Sequence, residues 1–194
     1  MTALLQLPDV TLCCVDTRST ELALHAMKYC MTGVEFGEAV LIGPVKWPLA
    51  PTVPSTIRYE EILPLQGIDA YSEFLLKGLG KYIKTSHVLI VQWDGFVLNP
   101  QLWKNEFLAY DYIGSPWYHA GHPGMVGNGG FSLRSKKLLE ALDNMSPLAG
   151  EPEDMSICVS LRKQLEDQHD IHFAPLQTAQ AFGCEYGPWR NAFG

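Results

Sequence analysis

Two acidic positions in this sequence suit chemistry on a phosphorylated ligand, and the first of them is Asp94. It stands in the string Gln92-Trp93-Asp94-Gly95, directly after the apolar run 87–91. A carboxylate that emerges where a buried strand ends suits a hard divalent cation that bridges phosphates. The glycine after it equally favours an ordinary turn or helix-capping aspartate. The sequence therefore predicts a metal-binding carboxylate at Asp94, with a structural turn as the alternative.

The second acidic position is the pair Glu153-Asp154, which follows Pro152. A proline here indicates the start of a helix, and the helix dipole favours carboxylates in the first turn even where they do no chemistry. A carboxylate held there can also accept the proton of a substrate hydroxyl as a general base. We therefore expect Asp154 or Glu153 to serve one half of a displacement while Asp94 serves the other.

Between the two acidic positions lies a loop in which glycines surround one asparagine. Glycine adopts positive φ freely and lets a ligand approach the bare main chain. The lead-in to this loop contains His119 and His122, which could touch substrate, although surface histidines without a function are commoner. A hairpin or bulge with no ligand is the alternative. We expect a sugar to lie against the loop formed by Gly127, Asn128, Gly129 and Gly130.

A third polar group, Asp16-Thr17-Arg18, follows the first apolar run of the chain. These side chains could hold a nucleotide base or ribose, with Arg18 facing phosphate. Aromatic rings could add a flat apolar face for a sugar, although core packing is their alternative role. The candidates are Trp93, Trp103 and Trp117.

The apolar pattern predicts alternating strands and helices that would position these residues. The run 87–91 has no polar alternation, which indicates a strand buried on both faces in a parallel sheet. Alternation of strands with helices implies an α/β fold with an open, mostly parallel sheet flanked by helices, and ligands of such sheets collect at the carboxyl ends of the strands. We expect strands over 10–15, 38–42, 87–91, 112–114, 131–133 and 171–174.

The helices are predicted from apolar spacing and from capping residues. Asp69 and Ser135 can each cap a helix, and a long helix is expected from about Glu153 through Leu165. Prolines at 48, 51 and 54 exclude regular structure from the connection that contains them. No composition shift divides the chain, so residues 1–194 are expected to form a single domain.

Composition excludes several functional classes. The chain has 194 residues, 47% of them apolar and 18% charged, which is ordinary for a globular domain. A net charge of -7 without basic clusters disfavours nucleic acid and anionic membranes as partners. Five cysteines without a CxxC pair predict neither a disulfide framework nor structural zinc. The N-terminus lacks a basic lead and no apolar run could span a bilayer, so we expect a soluble, cytoplasmic protein.

Taken in order, these stretches resemble an uncharacterised glycosyltransferase-like family of GT-A fold. The resemblance spans roughly residues 9–190 and is carried by four strings: Gln-Trp-Asp-Gly at 92–95, Tyr-Asp-Tyr-Ile-Gly-Ser-Pro-Trp at 110–117, Val-Gly-Asn-Gly-Gly-Phe-Ser-Leu-Arg at 126–134 and Pro-Glu-Asp at 152–154. The third string, from its first glycine onwards, is the most specific of them.

The resemblance implies a metal-dependent transferase that moves a sugar from a nucleotide-sugar donor to a hydroxyl acceptor, with inversion. Asp94 matches the last acid of the DxD motif, which binds Mn²⁺ or Mg²⁺ against the donor diphosphate. Gln92 stands where the first acid commonly faces the ribose, so donor recognition is altered or shared with groups such as Asp16. Asp154 or Glu153 matches the base that takes the acceptor proton, and we favour Asp154.

One departure from this pattern leaves alternatives open. Such enzymes often bring a C-terminal histidine to the metal, and residues 191–194 contain none. Either water and phosphate complete the metal site, or the chain is truncated or an impaired enzyme. A noncatalytic sugar or nucleotide-sugar binding module is the second interpretation. A sugar nucleotidyltransferase ranks lower, because the segment after the first strand lacks the glycine-rich basic loop that cradles a triphosphate.

Overall fold

The fold is built on one six-stranded sheet with the strand order β3-β2-β1-β4-β6-β5. It is seen in a computed structural model that describes residues 4–118, 126–185 and 191–194. Strands β1 to β4 run parallel, and β6 runs antiparallel to both β4 and β5. The strands are β1 (Leu5–Val15), β2 (Val34–Pro44), β3 (Arg58–Ile62), β4 (His87–Ile90), β5 (Tyr112–Gly114) and β6 (Ser132–Ser135).

Helices cover both faces of this sheet, which confirms the predicted open, mostly parallel α/β architecture. An apolar cluster that includes Met27 packs α1 on one face, and a second that includes Leu79 packs the α2 region on the other. A third cluster joins α3 and α5 to the β5 end. The helices are α1 (Thr20–Cys30), α2 (Gly67–Glu73), α3 (Lys136–Asp143), α4 (Glu153–Met155), α5 (Arg162–His169) and α6 (Leu176–Phe182).

The centre of the sheet follows the predicted pattern closely. All residues of β4 are buried, and β4 pairs in parallel register with β1, from Val10 opposite His87 to Cys13 opposite Ile90. The predicted strands at 10–15 and 38–42 lie inside the longer β1 and β2. Ser135 caps α3 as predicted, because its hydroxyl accepts the Leu138 N–H at 3.0 Å.

Three predictions about the elements are corrected. The segment 171–174 forms no strand of its own; within the described ranges it adds only a parallel bridge between Tyr112 and Phe173. The long helix expected from Glu153 is interrupted by the π-helical turn Ser156–Ser160 before α5 begins. Asp69 lies inside the first turn of α2, and Gln66 holds the capping position. The sequence analysis also missed β3 and α6. Strand β3 was missed because it is a half-exposed edge strand rich in charged residues.

Two predictions by exclusion can be compared with the described residues. The five cysteines are all free thiols. In the described part of the chain, none of the helices has the length and apolar character needed to cross a membrane.

Candidate functional site

A cavity of about 540 Å³ opens beside the carboxyl end of β1. The structure brings together there the three residues that follow β1 and the residue two positions after β4, which the sequence placed at one sheet edge. Apolar and aromatic side chains from the α2 region complete the wall. The residues that line this cavity, which we call the β1 cavity, are Val15, Asp16, Thr17, Arg18, Ser19, Leu65, Gly67, Ile68, Tyr71, Gln92 and Trp93.

The loop after β1 uses two of its polar side chains to hold its own shape. Asp16 Oδ1 accepts the N–H groups of Arg18 at 2.7 Å and Ser19 at 2.6 Å. Thr17 Oγ1 accepts the Leu65 N–H at 3.0 Å. The Arg18 guanidinium is exposed and has no side-chain partner among the described residues. Arg18 is therefore the group in this loop that remains available to an anionic ligand.

Gln92 contributes a side chain that links the cavity to α2. Its Nε2 donates to the Tyr71 hydroxyl at 2.9 Å, which leaves the hydroxyl proton of Tyr71 free to donate elsewhere. Burial, with a smaller effect of the Glu153 charge, raises the pKa of Tyr71 well above its ordinary value, so the hydroxyl stays protonated. Sequence reasoning missed Tyr71, because in the sequence it is only one more helical residue.

Asp94 lies at the tip of a tight turn. The Gln92 N–H donates to the Gly95 carbonyl at 2.9 Å, and the Gly95 N–H donates to the Gln92 carbonyl at 3.2 Å. Trp93 is 52% exposed at this tip and lines the β1 cavity. The exposed Asp94 carboxylate has neither a hydrogen bond nor a salt bridge to the described residues. It lines a second cavity of about 220 Å³ together with Ser115, Asn128, Phe131, Cys184, Glu185 and Gly194.

The donor set at Asp94 fits a hard cation that is only partly held by protein. Within 4–118, 126–185 and 191–194, three or more His, Cys, Asp or Glu side chains nowhere gather into a group that could hold a metal ion. Mg²⁺ in nucleotide sites is commonly held by one or two carboxylates, and substrate phosphates and water supply the other ligands. An oxygen donor that has no partner among the described residues, as Asp94 is, suits that arrangement.

The glycine loop is packed against side chains of the chain itself. A Cβ atom at Gly127 would overlap the Trp117 ring, one at Gly129 would overlap Glu153 Oε1, and one at Gly130 would crowd Gln92 Oε1. These glycines therefore have a packing reason of their own, apart from the predicted contact with a sugar.

Asn128 holds the loop from inside. Its φ is +58°, and its Oδ1 accepts the N–H groups of Gly130 at 2.9 Å and Phe131 at 3.2 Å. Its Nδ2 donates to Ser115 Oγ at 2.9 Å. Asparagine tolerates this left-handed conformation better than most residues, so the same side chain both permits and fixes the turn.

Glu153 and Asp154 stand side by side in the chain but in different surroundings. Glu153 is only 4% exposed, and its Oε1 lies 3.1 Å from Nη2 of Arg134, which is fully buried. Burial raises the pKa of Glu153, and the Arg134 charge opposes that rise. Asp154 is partly exposed; its Oδ2 accepts the Gly129 N–H at 3.3 Å. Its Oδ1 accepts the Met155 N–H at 2.8 Å. Of the two acids, Asp154 is the more exposed.

The other residues predicted to contact a ligand lie in different surroundings. His119 and His122 lie outside the described residues. Trp103 packs edge-on against Phe107 and Phe193, with ring centroids 5.3 and 5.1 Å apart, so it belongs to the core rather than to a ligand surface. Trp117 is also buried. Arg134 stands in the sequence string 126–134, but its role as partner of Glu153 could not be deduced from the sequence.

Solved structures resemble this fold at low sequence identity. The mannosyltransferase PcManGT from Pyrobaculum calidifontis, in complex with GDP-Man and Mn²⁺, matches with a TM-score of 0.50 and 14% identity over 89% of this chain and 56% of its own. Rv0371c from Mycobacterium tuberculosis H37Rv matches with a TM-score of 0.47 and 11% identity over 90% and 89%. A 4-diphosphocytidyl-2C-methyl-D-erythritol synthase matches with a TM-score of 0.41 and 11% identity over 75% and 82%.

The likeness to the mannosyltransferase shows a GT-A-like fold, and this chain spans only 56% of that protein's length. No curated protein matches the sequence. A family profile, described as "Protein of unknown function (DUF5672)", matches residues 55–193, which include the Asp94 turn, the glycine loop and the Glu153-Asp154 pair. Because the match covers more than half of the chain, this protein belongs to the DUF5672 family.

Proposed function

We propose that this protein is a metal-dependent glycosyltransferase that moves a sugar from a nucleotide-sugar donor to a hydroxyl acceptor, with inversion at the anomeric carbon. One observation carries the proposal. An open cavity at the carboxyl end of β1 ends at a turn whose exposed carboxylate, Asp94, has no partner in the described part of the chain. On a GT-A-like sheet, that edge is where ligands bind.

In this proposal the β1 cavity takes the nucleotide. Arg18 would face the diphosphate, because it is a cation without a side-chain partner among the described residues. Tyr71 and Gln92 would offer a hydroxyl donor and an amide to the ribose or base, in place of the acid that DxD motifs carry at position 92. Trp93 would cover the ligand with an apolar ring face.

Asp94 would hold a Mn²⁺ or Mg²⁺ ion together with the donor phosphates and water. The bound ion would offset the negative charge that builds up on the departing diphosphate. Arg18 would add to that stabilisation from the cavity wall, since preorganised positive charge at a leaving group lowers the barrier.

Asp154 would act as general base on the acceptor. The acceptor oxygen forms a bond to the anomeric carbon as its proton passes to the Asp154 carboxylate. The bond from the anomeric carbon to the phosphate oxygen breaks, and the nucleoside diphosphate leaves with the electron pair. Attack and departure on opposite faces of the sugar invert the anomeric centre. Asp154 suits this step because it is partly exposed, whereas Glu153 is buried in an ion pair.

The test is a thermal-shift screen of the protein against UDP-, GDP-, CMP- and dTDP-sugars, each with and without Mn²⁺. A ligand that binds the native state raises the apparent melting temperature. We expect one nucleotide class to raise Tm only with Mn²⁺, and we expect Asp94→Ala to abolish that rise. Asp143→Ala, which removes an exposed acid at the end of α3, is the matched control and should keep it.

Turnover then separates the candidate functions. Release of nucleoside diphosphate from the bound donor, greatly slowed but still measurable in Asp154→Asn, supports the transferase. Binding without turnover would support the noncatalytic nucleotide-sugar module instead. Pyrophosphate formation from a nucleoside triphosphate and a sugar phosphate would indicate a nucleotidyltransferase, and an absence of any thermal shift would overturn the proposed donor site.

A further inference from the structure

We propose that the buried pair of Arg134 and Glu153 is the positioning device of the transfer site: it holds the glycine loop and the start of α4 together, and so fixes Asp154 against Gly129. This inference rests on the proposed function for its catalytic consequence. Its geometric content can be tested without that function.

Arg134 joins three parts of the chain at one point. Its Nε donates to Ser132 Oγ at 3.1 Å within β6. Its Nη2 donates to the Gly129 carbonyl at 3.4 Å and to Glu153 Oε1 at 3.1 Å. The guanidinium plane is rigid, so these bonds fix the distance between the loop carbonyl and the α4 carboxylate.

The glycine loop and α4 are also in close steric contact at Gly129. Glu153 Oε1 occupies the space that a side chain at Gly129 would need. The N–H of the same glycine donates to Asp154 Oδ2 at 3.3 Å. Both acids therefore hold Gly129 in place. Asp154 accepts its N–H directly, and Glu153 binds Arg134, which donates to the Gly129 carbonyl. Any shift of Glu153 would move the Asp154 carboxylate relative to the loop.

Stability alone is a weak reason for this arrangement. Arg134 is fully buried, and its Nη1 has no hydrogen-bond partner in the described part of the chain, which leaves part of the desolvation cost of the guanidinium unrecovered. Well-packed apolar side chains often replace a buried ion pair without loss of stability. Nη2 of the planar guanidinium donates to both acceptors, and this sets the relative position of a carboxylate and a main-chain carbonyl, which apolar packing does not do.

The test compares the double variant Arg134→Met with Glu153→Gln against the matched control Lys163→Met with Asp167→Asn. The control removes an exposed ion pair from α5, whose atoms lie 2.6 Å apart. We expect the folded double variant to lose kcat for donor hydrolysis with Mn²⁺ at least a hundredfold. We expect it to keep its KM and its donor-induced thermal shift, and the control to keep all of these.

A cycle with Asp154 separates positioning from general loosening. In the Asp154→Asn background, adding the double substitution should lower kcat no further, because the pair acts through that carboxylate. Arg134→Lys keeps the charge but loses the planar guanidinium. Its kcat should recover less than a tenth of what the double variant loses. A folded double variant with wild-type kcat would overturn the inference, as would equal losses in the two backgrounds.

Amide hydrogen exchange provides the readout that does not need turnover. The Gly129 N–H should exchange at least tenfold faster in the double variant, while the Leu138 N–H, which Ser135 holds at 3.0 Å, should be unchanged. If the wild type turns over no nucleotide sugar, the proposed function fails and the exchange rate at Gly129 still decides the geometry. Unchanged exchange at Gly129 in the double variant would overturn the positioning role.

Discussion

Asp94 and Glu153 are both acids that the sequence marks for chemistry, yet the fold treats them in opposite ways. Asp94 is exposed at the tip of a tight turn and has no hydrogen bond or ion pair to the described residues. Glu153 is buried, and Arg134 neutralises it at 3.1 Å. A carboxylate completed by its own chain has little left to offer a ligand. One completed by nothing in the described chain is available to a ligand.

The same contrast divides the neighbourhood of each acid. Around Asp94, the chain presents the exposed groups of Arg18 and Trp93 beside open cavities. Around Glu153, the glycine loop, β6 and α4 interlock without space for a side chain on Gly129. We infer that one region is built to receive a ligand and the other to stay fixed while it does so.

The largest expected effect comes from breaking the buried pair on one side only. Arg134→Met leaves the Glu153 carboxylate buried without its cation, and Glu153→Gln leaves the Arg134 guanidinium buried without its anion. Removing one partner of a buried ion pair typically costs about 3–5 kcal/mol of unfolding free energy. Urea unfolding of each single variant, followed by circular dichroism, measures this loss.

The double variant completes that cycle. Because neither charge is then left unpaired, the loss in the double variant should be smaller than the sum of the two single losses by about 1–3 kcal/mol. Additive losses would mean that the two groups do not depend on each other. The exposed pair of Lys163 and Asp167 gives the reference, since exposed helical pairs contribute little to the free energy of unfolding.

Sequence reasoning could predict the open region better than the fixed one, for a physical reason. The run that became β4, the Ser135 cap and the Asp94 turn depend on neighbours within a few positions. The contact between Arg134 and Glu153 joins residues 19 positions apart and depends on how β6 meets α4. Periodicity does not encode that meeting, so Glu153 remained a candidate base until its burial was seen.

The sequence analysis missed the edge strand β3 for a related reason. Strand β3 contains Arg58, which pairs with Glu60 in the same strand and with Glu38 of β2. Such a charged run is typical of a loop in a single sequence, and it becomes a strand only because β2 offers it a partner. Propensity gives way there to pairing across the sheet.

An intermediate effect should follow from filling the space at Gly129. In Gly129→Ala the new methyl group would overlap Glu153 Oε1, so either the loop or α4 must shift. Overpacking of this kind typically costs about 1–3 kcal/mol. The matched control is Gly80→Ala, whose Cβ would lie 3.6 Å from the nearest atom, Leu139 Cβ. Thermal unfolding of the two variants side by side measures the difference, and equal melting temperatures would mean that the fixed region yields easily.

The smallest expected effect on stability belongs to Asp94, and its smallness is what makes the comparison sharp. Asp94→Asn removes the charge of an exposed carboxylate that has no partner in the described chain, so the free energy of unfolding should change by no more than about 0.5 kcal/mol. The same substitution should abolish the Mn²⁺-dependent rise of Tm with the nucleotide sugar. Glu153→Gln should do the reverse, lowering Tm without donor while a donor-induced rise remains. If Asp94→Asn instead destabilised the free protein by several kcal/mol, the turn at 92–95 would be a structural element, and its carboxylate would not be reserved for a ligand.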